Sequence, residues 1–446
     1  MDAPPFHLSV KAHRTGEQPI NHLMHQAVTR PELISLAAGL VDYDSLPVEA
    51  VRTCAASLLG DASSGQAALQ YGTTEGLAEL RDAMLGRLES LDGVTRAEMN
   101  LTTEQVVITT GSQQGLYLLA VAMLDPGDIV IASAPDYFVY THALCSFAAD
   151  VRSVPVDDDG MRIDELERLL EELASTGELE RLKFIYVVSS FQNPTGISLS
   201  ADRRARLVEL ARTYSRTRRI LVIDDAAYRE LRYDGPDTPS IKSYDRDNRY
   251  VALAMTFSKA FSPGMKTGCL MLPDELVKPV LWQKGNHDFG SQNLGQHLLY
   301  EAMRTGAYAR QVERLIAVYR AKRDVMLEAL DAHLSDIDGV RWVRPKGGLY
   351  VWLTLPTGWD AGPGSELFQR CLDKGVMYVP GAYAYAADGE NPVPAHEIRL
   401  SFGVASRTAI TEGVRRLGAA VREQAAGAPS TGASSTGGNV GSVTAP

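Results

Sequence analysis

The chain has little cysteine and no long apolar run, and these shortages exclude several classes of protein. Its 446 residues include only four cysteines, at positions 54, 145, 269 and 371. Because they are scattered, they form neither a disulfide framework nor the close spacing of a metal site, so we expect no metal and a reducing compartment. No apolar run approaches the length of a transmembrane helix, and the N-terminus lacks the basic and apolar regions of a signal peptide. The sequence therefore predicts a cytoplasmic protein.

The chain also has fewer basic than acidic residues. Lysine and arginine number 44 against 55 acidic residues, which leaves a formal net charge of −11. A protein with this balance does not attract nucleic-acid phosphates or anionic lipids, so we expect no nucleic-acid and no membrane partner. The composition is otherwise that of an ordinary globular protein, and the chain is long enough for more than one domain.

Strands and helices alternate along the middle of the chain. Apolar runs typical of buried strands lie at residues 106–109, 129–132, 184–188, 220–223 and 250–255, and amphipathic helices are predicted at residues 163–175 and 201–214. This alternation predicts an α/β fold with a mostly parallel sheet covered by helices on both faces. A long helical stretch is then predicted over residues 293–333, followed by strand-like segments at residues 347–353 and 397–402.

Four parts of the chain follow from this pattern. Residues 1–50 are predicted to form an arm, with a short helix near residues 21–30, and part of a small domain. Residues 51–310 would form the large domain, and residues 311–424 the rest of a smaller α+β domain. The tail, residues 425–446, is rich in Ala, Gly, Ser and Thr and is expected to be disordered.

A lysine follows the last strand of the alternating series. Lys259 is flanked by the hydroxyls of Thr256 and Ser258, and a Pro-Gly turn and Lys266 come next. Burial and a neighbouring cation lower the pKa of an ammonium group, which frees its lone pair for nucleophilic attack. A lone Ser-Lys pair is more often a solvent-exposed loop, but the pattern Ser-Lys-x-x-x-Pro-Gly-x-(Lys/Arg)-x-Gly after a strand is far more specific. The hydroxyls and Lys266 predict an anion site, for example for a phosphate.

Polar clusters follow the other strands too, at the carboxyl ends where open α/β sheets bind ligands. Ser112 and Gln113 open a helix, whose free N–H groups and dipole attract phosphate, although Ser112 could equally be a simple N-cap. Asp224 and Asp225 follow a buried strand, and either carboxylate could serve a ligand. The remaining candidates of this kind are Tyr137, Asn193 and Tyr228.

Together these motifs resemble the fold-type-I pyridoxal-phosphate enzymes, and more closely the class I and II aminotransferases of the kynurenine and 2-aminoadipate group. The resemblance covers roughly residues 35–418, with five separated motifs in the family's order. It implies the PLP-dependent transferase fold type I and pyridoxal 5′-phosphate as the cofactor. It also implies that the enzyme moves an amino group between an L-amino acid and a 2-oxo acid by a ping-pong Schiff-base mechanism, in amino acid metabolism or biosynthesis.

The resemblance also implies the roles at the cofactor. Lys259 resembles the catalytic Schiff-base lysine, and Asp225 resembles the carboxylate that pairs with the pyridine nitrogen. The spacing to Tyr228 favours Asp225 over Asp224 for this role. Tyr137 resembles the aromatic residue that stacks on the ring, and Asn193 and Tyr228 resemble the pair that bonds its phenolic oxygen. The expected phosphate ligands are Ser112, Gln113, Thr256, Ser258 and Lys266.

Further residues are implied at the substrate and at a subunit interface. Arg399 resembles the arginine whose planar fork holds the substrate α-carboxylate. Gly39 and Asn193 would lie beside the substrate. Tyr71 resembles a tyrosine that reaches the phosphate of the neighbouring subunit, which implies a homodimer with active sites shared across the interface.

Two departures from the family pattern stand out. Lys266 stands where the family usually has arginine, so the positive charge is kept and the bidentate fork is lost. Residues 285–291 also differ from the family's usual sequence, in a region near the substrate entrance of relatives. His287 or Asp288 could contact a substrate there, or the segment could be a turn with capping residues.

Two other functions compete with transamination. The same scaffold supports decarboxylation, oxidation and condensation in relatives, and the presence of Arg399 favours transamination among these. The other alternative is an effector-sensing domain like those of aminotransferase-like transcription regulators, which carry a basic helix-turn-helix module ahead of the fold. Only about 36 residues precede the matching region, and the chain is acidic, which disfavours this alternative.

Overall fold

The computed structural model describes residues 6–16, 21, 23, 26, 29–30, 32–386 and 392–427. The helices are Val10–Arg14 (α1), Val48–Gly60 (α2), Ala62–Leu69 (α3), Ala78–Asp92 (α4), Gly111–Met123 (α5), Phe138–Cys145 (α6), Ile163–Thr176 (α7), Ala201–Tyr214 (α8), Asp274–Asp288 (α9), Asn293–Arg304 (α10), Ala307–Leu334 (α11), Glu366–Asp373 (α12) and Arg407–Gly427 (α13). The strands are Ile34–Ser35 (β1), Val106–Thr109 (β2), Ile129–Ala134 (β3), Asp150–Asp157 (β4), Gly160–Met161 (β5), Leu182–Val187 (β6), Leu221–Asp225 (β7), Val251–Thr256 (β8), Gly268–Met271 (β9), Arg341–Trp342 (β10), Tyr350–Thr354 (β11), Val376–Met377 (β12), Val379–Pro380 (β13) and Glu397–Ser401 (β14).

The largest sheet has eight strands within the described residues, in the order β2-β9-β8-β7-β6-β3-β4-β5. Strands β8, β7, β6, β3 and β4 pair in parallel. Strand β9 is antiparallel to both β2 and β8, and β5 is antiparallel to β4 at the edge. All strands except β5 and β9 therefore point the same way, which confirms the predicted mostly parallel sheet.

Helices cover both faces of this sheet. Successive side chains of a strand point to opposite faces, and in β3 they enter different cores. Ile131 packs in a cluster with Leu166 of α7 and Leu207 of α8. Val130 belongs to the cluster that contains Leu116 of α5. Apolar burial on both faces explains why these strands are near-continuous hydrophobic runs in the sequence.

The carboxyl ends of the parallel strands lie along one edge of the sheet. Strand β2 leads directly into the loop before α5, and β3 leads to Tyr137 at the start of α6. Strand β7 ends at Asp225, and β8 ends at Thr256, three residues before Lys259. The polar clusters of the sequence are therefore gathered at this edge.

A second sheet holds four strands of the C-terminal part. Its order is β10-β11-β14-β13, with antiparallel pairing throughout. Strand β1, near the N-terminus, pairs in parallel with β12, so that Ile34 lies opposite Val376. The segment near the N-terminus is thus built into the C-terminal part of the molecule.

The prediction of one continuous helix over residues 293–333 is wrong. The segment forms two helices, α10 and α11, and Gly306 between them has a φ of 72°. Glycine adopts this left-handed conformation without a steric penalty, so it commonly ends a helix.

The predicted helix near residues 21–30 falls largely outside the described residues. The predicted tail from residue 428 onward also lies outside them, and residues 425–427 belong to α13. None of the described helices combines the length and the apolar character needed to cross a membrane.

Candidate active site

A cavity of about 250 Å³ lies at the carboxyl edge of the large sheet. Three predicted site residues, Gly39, Tyr71 and Arg399, do not line it. The other ten do, although they come from six separate stretches of the chain. They are Ser112, Gln113, Tyr137, Asn193, Asp225, Tyr228, Thr256, Ser258, Lys259 and Lys266.

Lys259 follows β8 and extends into this cavity. Its Nζ donates a hydrogen bond of 2.7 Å to the carbonyl oxygen of Gly39, which brings Gly39 beside the lysine. Burial lowers the pKa of Lys259, and the positive charges of Arg399 and Lys266 lower it further. A larger share of this amine is therefore uncharged than for a lysine in water, and the uncharged form is the nucleophile.

Asp225 is the last residue of β7 and is only 3% exposed. Its Oδ2 accepts a hydrogen bond of 3.0 Å from the hydroxyl of Tyr186, and its Oδ1 has no partner among the described residues. Burial raises the pKa of Asp225 to about 7, and the charge of Asp224 contributes. Asp224 points away from the cavity, because neighbouring strand residues alternate, and its Oδ2 accepts from the backbone N–H of Ile241.

Replacing Asp225 with asparagine should change how the stability of the ligand-free protein depends on pH. The pKa of this carboxyl rises from 3.8 to about 7 on folding, so the folded state binds more protons than the unfolded state between these values. The wild-type free energy of unfolding should therefore fall as the pH rises through this window, relative to Asp225→Asn. At 1.36 kcal/mol per pKa unit, the difference between pH 5 and pH 8 is about 3 kcal/mol. Urea unfolding of both proteins at each pH measures this difference in the free energy of unfolding. Identical pH profiles would show that the pKa of Asp225 is not raised on folding.

One end of the cavity carries groups that attract an anion. Ser112 and Gln113 lie in the first turn of α5, where backbone N–H groups have no partner within the helix. The hydroxyls of Thr256 and Ser258 are 3.0 Å apart. Lys266, in a left-handed conformation with a φ of 48°, adds a positive charge. A helix N-terminus, two hydroxyls and a cation together suit a phosphate group.

Close packing holds this end of the cavity in shape. Gly268, the first residue of β9, lies so close to the loop before α5 that an added Cβ would be 2.8 Å from the backbone nitrogen of Ser112. It would also lie 2.7 Å from the carbonyl carbon of Gly111. Only a residue without a side chain lets β9 approach the loop so closely, which explains the final glycine of the Ser-Lys-x-x-x-Pro-Gly-x-(Lys/Arg)-x-Gly pattern.

Arg399 lies behind the cavity in β14 and is 2% exposed. One Nη donates a hydrogen bond of 2.8 Å to Oδ1 of Asn193, and the other donates one of 2.7 Å to the carbonyl of Ala37. Its Nε is buried without a partner among the described residues. The guanidinium carbon is 4.5 Å from the centre of the Tyr350 ring. Arg399 thus contacts the cavity through Asn193, and its Nε is left without a partner among the described residues.

Sequence reasoning missed three buried groups next to the predicted residues. The hydroxyl of Tyr350 is 3.2 Å from that of Tyr228, and the hydroxyl of Tyr186 bonds Asp225. Asp136 accepts hydrogen bonds from two backbone N–H groups, including that of Tyr137, and burial holds its pKa well above the usual range. Only Asp136 carried a signal, its position next to Tyr137. Both tyrosines lie within apolar strands, where the sequence pattern indicates core.

Tyr71 and the unusual segment at residues 285–291 do not line the cavity. Tyr71 is 83% exposed, and its ring centre is 6.0 Å from that of Phe289. His287 and Asp288 end α9 and both contact Gln114. Neither lines the cavity of its own chain, so the alternative in which one of them contacts a substrate is not found there.

Comparison with known proteins adds an independent finding. The family described as "Aminotransferase class I and II" matches residues 31–417. The chain is 33% identical over 398 residues to the aromatic-amino-acid aminotransferase 1 of Thermococcus litoralis, which covers 89% of this chain and 90% of that protein. It is 35% identical over 396 residues to the 2-aminoadipate transaminase of Thermus thermophilus, which covers 88% of this chain and 91% of that protein.

Solved structures agree with these matches. The kynurenine aminotransferase of Pyrococcus horikoshii, in complex with PMP, superposes with a TM-score of 0.85 at 32% identity, over 94% of this chain and 97% of that one. The α-aminoadipate aminotransferase LysN of Thermus thermophilus, complexed with N-(5′-phosphopyridoxyl)-L-leucine, superposes with a TM-score of 0.79 at 32% identity. In that case 94% of this chain and 98% of the other are covered.

Proposed function

The chain belongs to the class I and II aminotransferase family, and from that premise we propose the roles of its site residues and its class of substrate. It is a pyridoxal-phosphate-dependent aminotransferase of fold type I, similar to the kynurenine and 2-aminoadipate aminotransferases.

The cavity fits the cofactor at both ends. The Oδ1 of Asp225, buried and without a partner among the described residues, would accept a hydrogen bond from the protonated pyridine nitrogen. Ser112, Gln113, Thr256, Ser258 and Lys266 would bind the phosphate at the other end. When bound, the cofactor supplies an electron-withdrawing ring that stabilises negative charge on the substrate Cα.

Lys259 would hold the cofactor aldehyde and then move the proton of the substrate Cα. Its lowered pKa makes the amine available as a base, since a general base works best with a pKa near the working pH. The hydrogen bond to the Gly39 carbonyl restricts where Nζ lies. The same amine can therefore take a proton and return it on the same side of the site.

The other lining residues would fix the ring. Tyr137 would lie against one of its faces, and Asp136 holds the backbone N–H of Tyr137. Asn193 and Tyr228 would bond the phenolic oxygen. Both are already oriented, Asn193 by Arg399 and Tyr228 by Tyr350. Preorganised groups of this kind lose little entropy when the ligand binds.

The substrate class follows from Arg399, and this residue carries the proposal. Its guanidinium is buried, its Nε has no partner among the described residues, and it donates a hydrogen bond to Asn193, which lines the same cavity as Lys259. Such a group suits the α-carboxylate of an amino acid. The similar proteins are named for aromatic amino acids, 2-aminoadipate and kynurenine, which share the α-amino carboxylate and differ in the side chain. The proposed reaction moves the amino group of an L-amino acid to a 2-oxo acid, within amino acid metabolism or biosynthesis.

A half-reaction assay tests this proposal. The purified holoenzyme is mixed with single L-amino acids, without any oxo acid, while the cofactor absorbance and the products are followed. One oxo acid released per active site, with conversion of the cofactor to its amine form, is the expected result. Release of carbon dioxide or consumption of oxygen would instead favour the decarboxylase or oxidase alternative.

Lys266→Arg should keep activity and bind the cofactor at least as tightly as the wild type. The guanidinium keeps the charge and adds a fork that matches phosphate geometry, and both residues meet the same left-handed backbone. Lys266→Ala should weaken cofactor binding by about 10- to 100-fold, as for the loss of a charged hydrogen bond. Equilibrium dialysis measures both. An arginine variant that retains cofactor but has no turnover would show that Lys266 takes part in the chemistry.

The homodimer belongs to the same proposal. Tyr71 is 83% exposed and lies outside the cavity of its own chain, which suits a side chain that enters the site of a second subunit. Leu59 and Leu69, which precede Tyr71 in the sequence, are exposed, and so is Phe289, whose ring lies beside that of Tyr71. Burying such residues in an interface would remove them from water.

Complementation between subunits tests the role of Tyr71. Tyr71→Ala and Lys259→Ala should each lower turnover when assayed alone at limiting cofactor. If Tyr71 serves the partner's site, a mixed dimer regains one intact site, and random reassortment should restore about a quarter of the wild-type turnover. If Tyr71 acted within its own chain, reassortment would restore nothing.

The proposal also covers the domain organisation and the cellular compartment. Pairing of β1 with β12 supports a small domain that combines residues 1–50 with residues 311–424, beside a large domain of residues 51–310. All four cysteines carry free thiols, which supports a reducing, cytoplasmic compartment.

A further inference from the structure

The unusual segment before α10 contacts both sides of the proposed phosphate site. We call residues 288–292, which join α9 to α10, the connector. Sequence analysis singled out this region as a possible substrate contact, and the cavity does not include it. Its side chains instead reach the loop before α5 and the turn that carries Lys266.

A chain of hydrogen bonds runs from the connector to the loop before α5. Lys284, with no exposed side chain, donates a bond of 2.8 Å to Oδ1 of Asp288. The Nε2 of Gln114 donates one of 2.7 Å to Oδ2 of Asp288 and lies 3.1 Å from Nδ1 of His287. The Oε1 of Gln114 accepts a bond of 2.7 Å from the backbone N–H of Thr110. Three consecutive polar contacts thus link α9 to the residue that begins the phosphate loop.

Asp288 decides which way the amide of Gln114 points. A carboxylate only accepts hydrogen bonds, so the NH₂ end of Gln114 must face it. The carbonyl end then faces Thr110, whose N–H needs an acceptor. With the amide reversed, two donors would meet at Thr110 and two acceptors at Asp288. The buried ammonium of Lys284 pairs with this carboxylate, because an isolated charge there would be costly.

The connector touches the loop and the lysine turn at other points as well. The hydroxyl of Ser291 is 3.3 Å from that of Thr110 and 3.4 Å from Oδ2 of Asp288. Gln292 donates a hydrogen bond of 2.6 Å from Nε2 to the carbonyl of Met265, the residue before Lys266. Both groups of phosphate ligands are therefore held against one short segment.

We propose that the connector positions the phosphate-binding groups, with Asp288 acting through Gln114 on the loop at residues 110–112. Asp288 is a positioning residue, since it does not line the cavity of its own chain. The inference rests on the proposed function, which places the cofactor phosphate at Ser112. Preorganised N–H groups bind an anion without the entropy loss of ordering a loop. Loss of the Asp288 carboxylate should therefore weaken the binding of the phosphate group.

The test compares two ligands that differ only in the phosphate. Dissociation constants of the apoprotein for pyridoxal 5′-phosphate and for pyridoxal are measured, and their ratio gives the phosphate selectivity. Asp288→Asn should lower this selectivity about tenfold, while the affinity for pyridoxal changes little. Asp274→Asn, the same change at the exposed start of α9, is the matched control and should leave the selectivity unchanged.

Gln114→Met supplies a second variant that leaves the Lys284–Asp288 pair intact, in case Asp288→Asn does not fold. It should lower the selectivity to the same extent. In a Gln114→Met background, Asp288→Asn should add little, because coupled residues are not additive. Fully additive losses would show that Asp288 does not act through Gln114 and would overturn the proposal.

Ser112→Ala separates failure of this inference from failure of the proposed function. If Ser112→Ala lowers the phosphate selectivity and Asp288→Asn and Gln114→Met do not, the phosphate site stands and the connector has no role in it. If none of the three changes the selectivity, the phosphate lies elsewhere. Equal losses for both ligands in Asp288→Asn would show a general structural effect and would also overturn the proposal.

Discussion

Lys259→Ala should reduce transamination by at least about 10⁴-fold and leave the fold intact. Proton transfer by a positioned side chain contributes up to about 10⁴-fold, and the variant also loses the amine that holds the cofactor aldehyde. The contacts explain why no neighbour replaces it. Lys259 donates to the Gly39 carbonyl, and Lys266, the other lysine of the cavity, lies in a left-handed turn at the phosphate end.

Two experiments test the assignment of Lys259. Borohydride reduction of the holoenzyme, followed by peptide mapping, should place the pyridoxyl group on Lys259. Lys278→Ala, which removes an exposed lysine of α9, is the control and should keep full turnover. A pyridoxyl label on Lys266, or a Lys259→Ala enzyme with more than a hundredth of wild-type turnover, would overturn it.

Arg399→Leu should lower kcat/KM for α-amino acids by about 30-fold to several-thousand-fold. Truncating one partner of a buried charge pair costs about 2–5 kcal/mol, at about 1.4 kcal/mol per factor of ten. The loss should fall mainly on substrates that carry a carboxylate, because, among the described residues, Arg399 contacts the cofactor cavity only through Asn193. Reaction with a simple amine that has no carboxylate should therefore change much less, and the cofactor absorbance should persist.

Arg399→Lys distinguishes charge from geometry at this position. Lysine keeps the charge but cannot donate to Asn193, Ala37 and a carboxylate in one plane, as a guanidinium can. Its kcat/KM should fall between those of the wild type and Arg399→Leu. Unchanged kcat/KM in Arg399→Leu would show that the carboxylate is held elsewhere, and the proposed substrate class would then fail.

Local sequence patterns were enough to predict five strands of the large sheet, though not β4 and β5 at its edge, and most of the residues around the cavity. Buried parallel strands are continuous apolar runs, and each predicted run is a strand of the structure within a few residues. Because parallel strands share one carboxyl edge, side chains that follow them meet there whatever the exact order of the strands. This explains why ten candidates, chosen from separate stretches, line one cavity.

Tertiary structure alone decided the contacts behind that cavity. Tyr186 and Tyr350 belong to apolar strands, and nothing in their spacing indicates hydroxyls that face Asp225 and Tyr228. Gly306 interrupts a helical pattern whose periodicity continues on both sides, so its left-handed conformation could not be anticipated from the pattern.

The connector is the clearest example of contacts that cannot be predicted from the sequence. Gln114 and Asp288 are 174 residues apart, and their hydrogen bond exists only because α5 and α9 pack side by side. By itself the sequence determined which side chains follow the strands and thus the chemistry of the cavity, since both depend on local hydrophobic pattern and strand direction. The packing of distant helices decided which polar groups hold those side chains in place, because hydrogen bonds depend on distances of a few ångströms that no local pattern encodes.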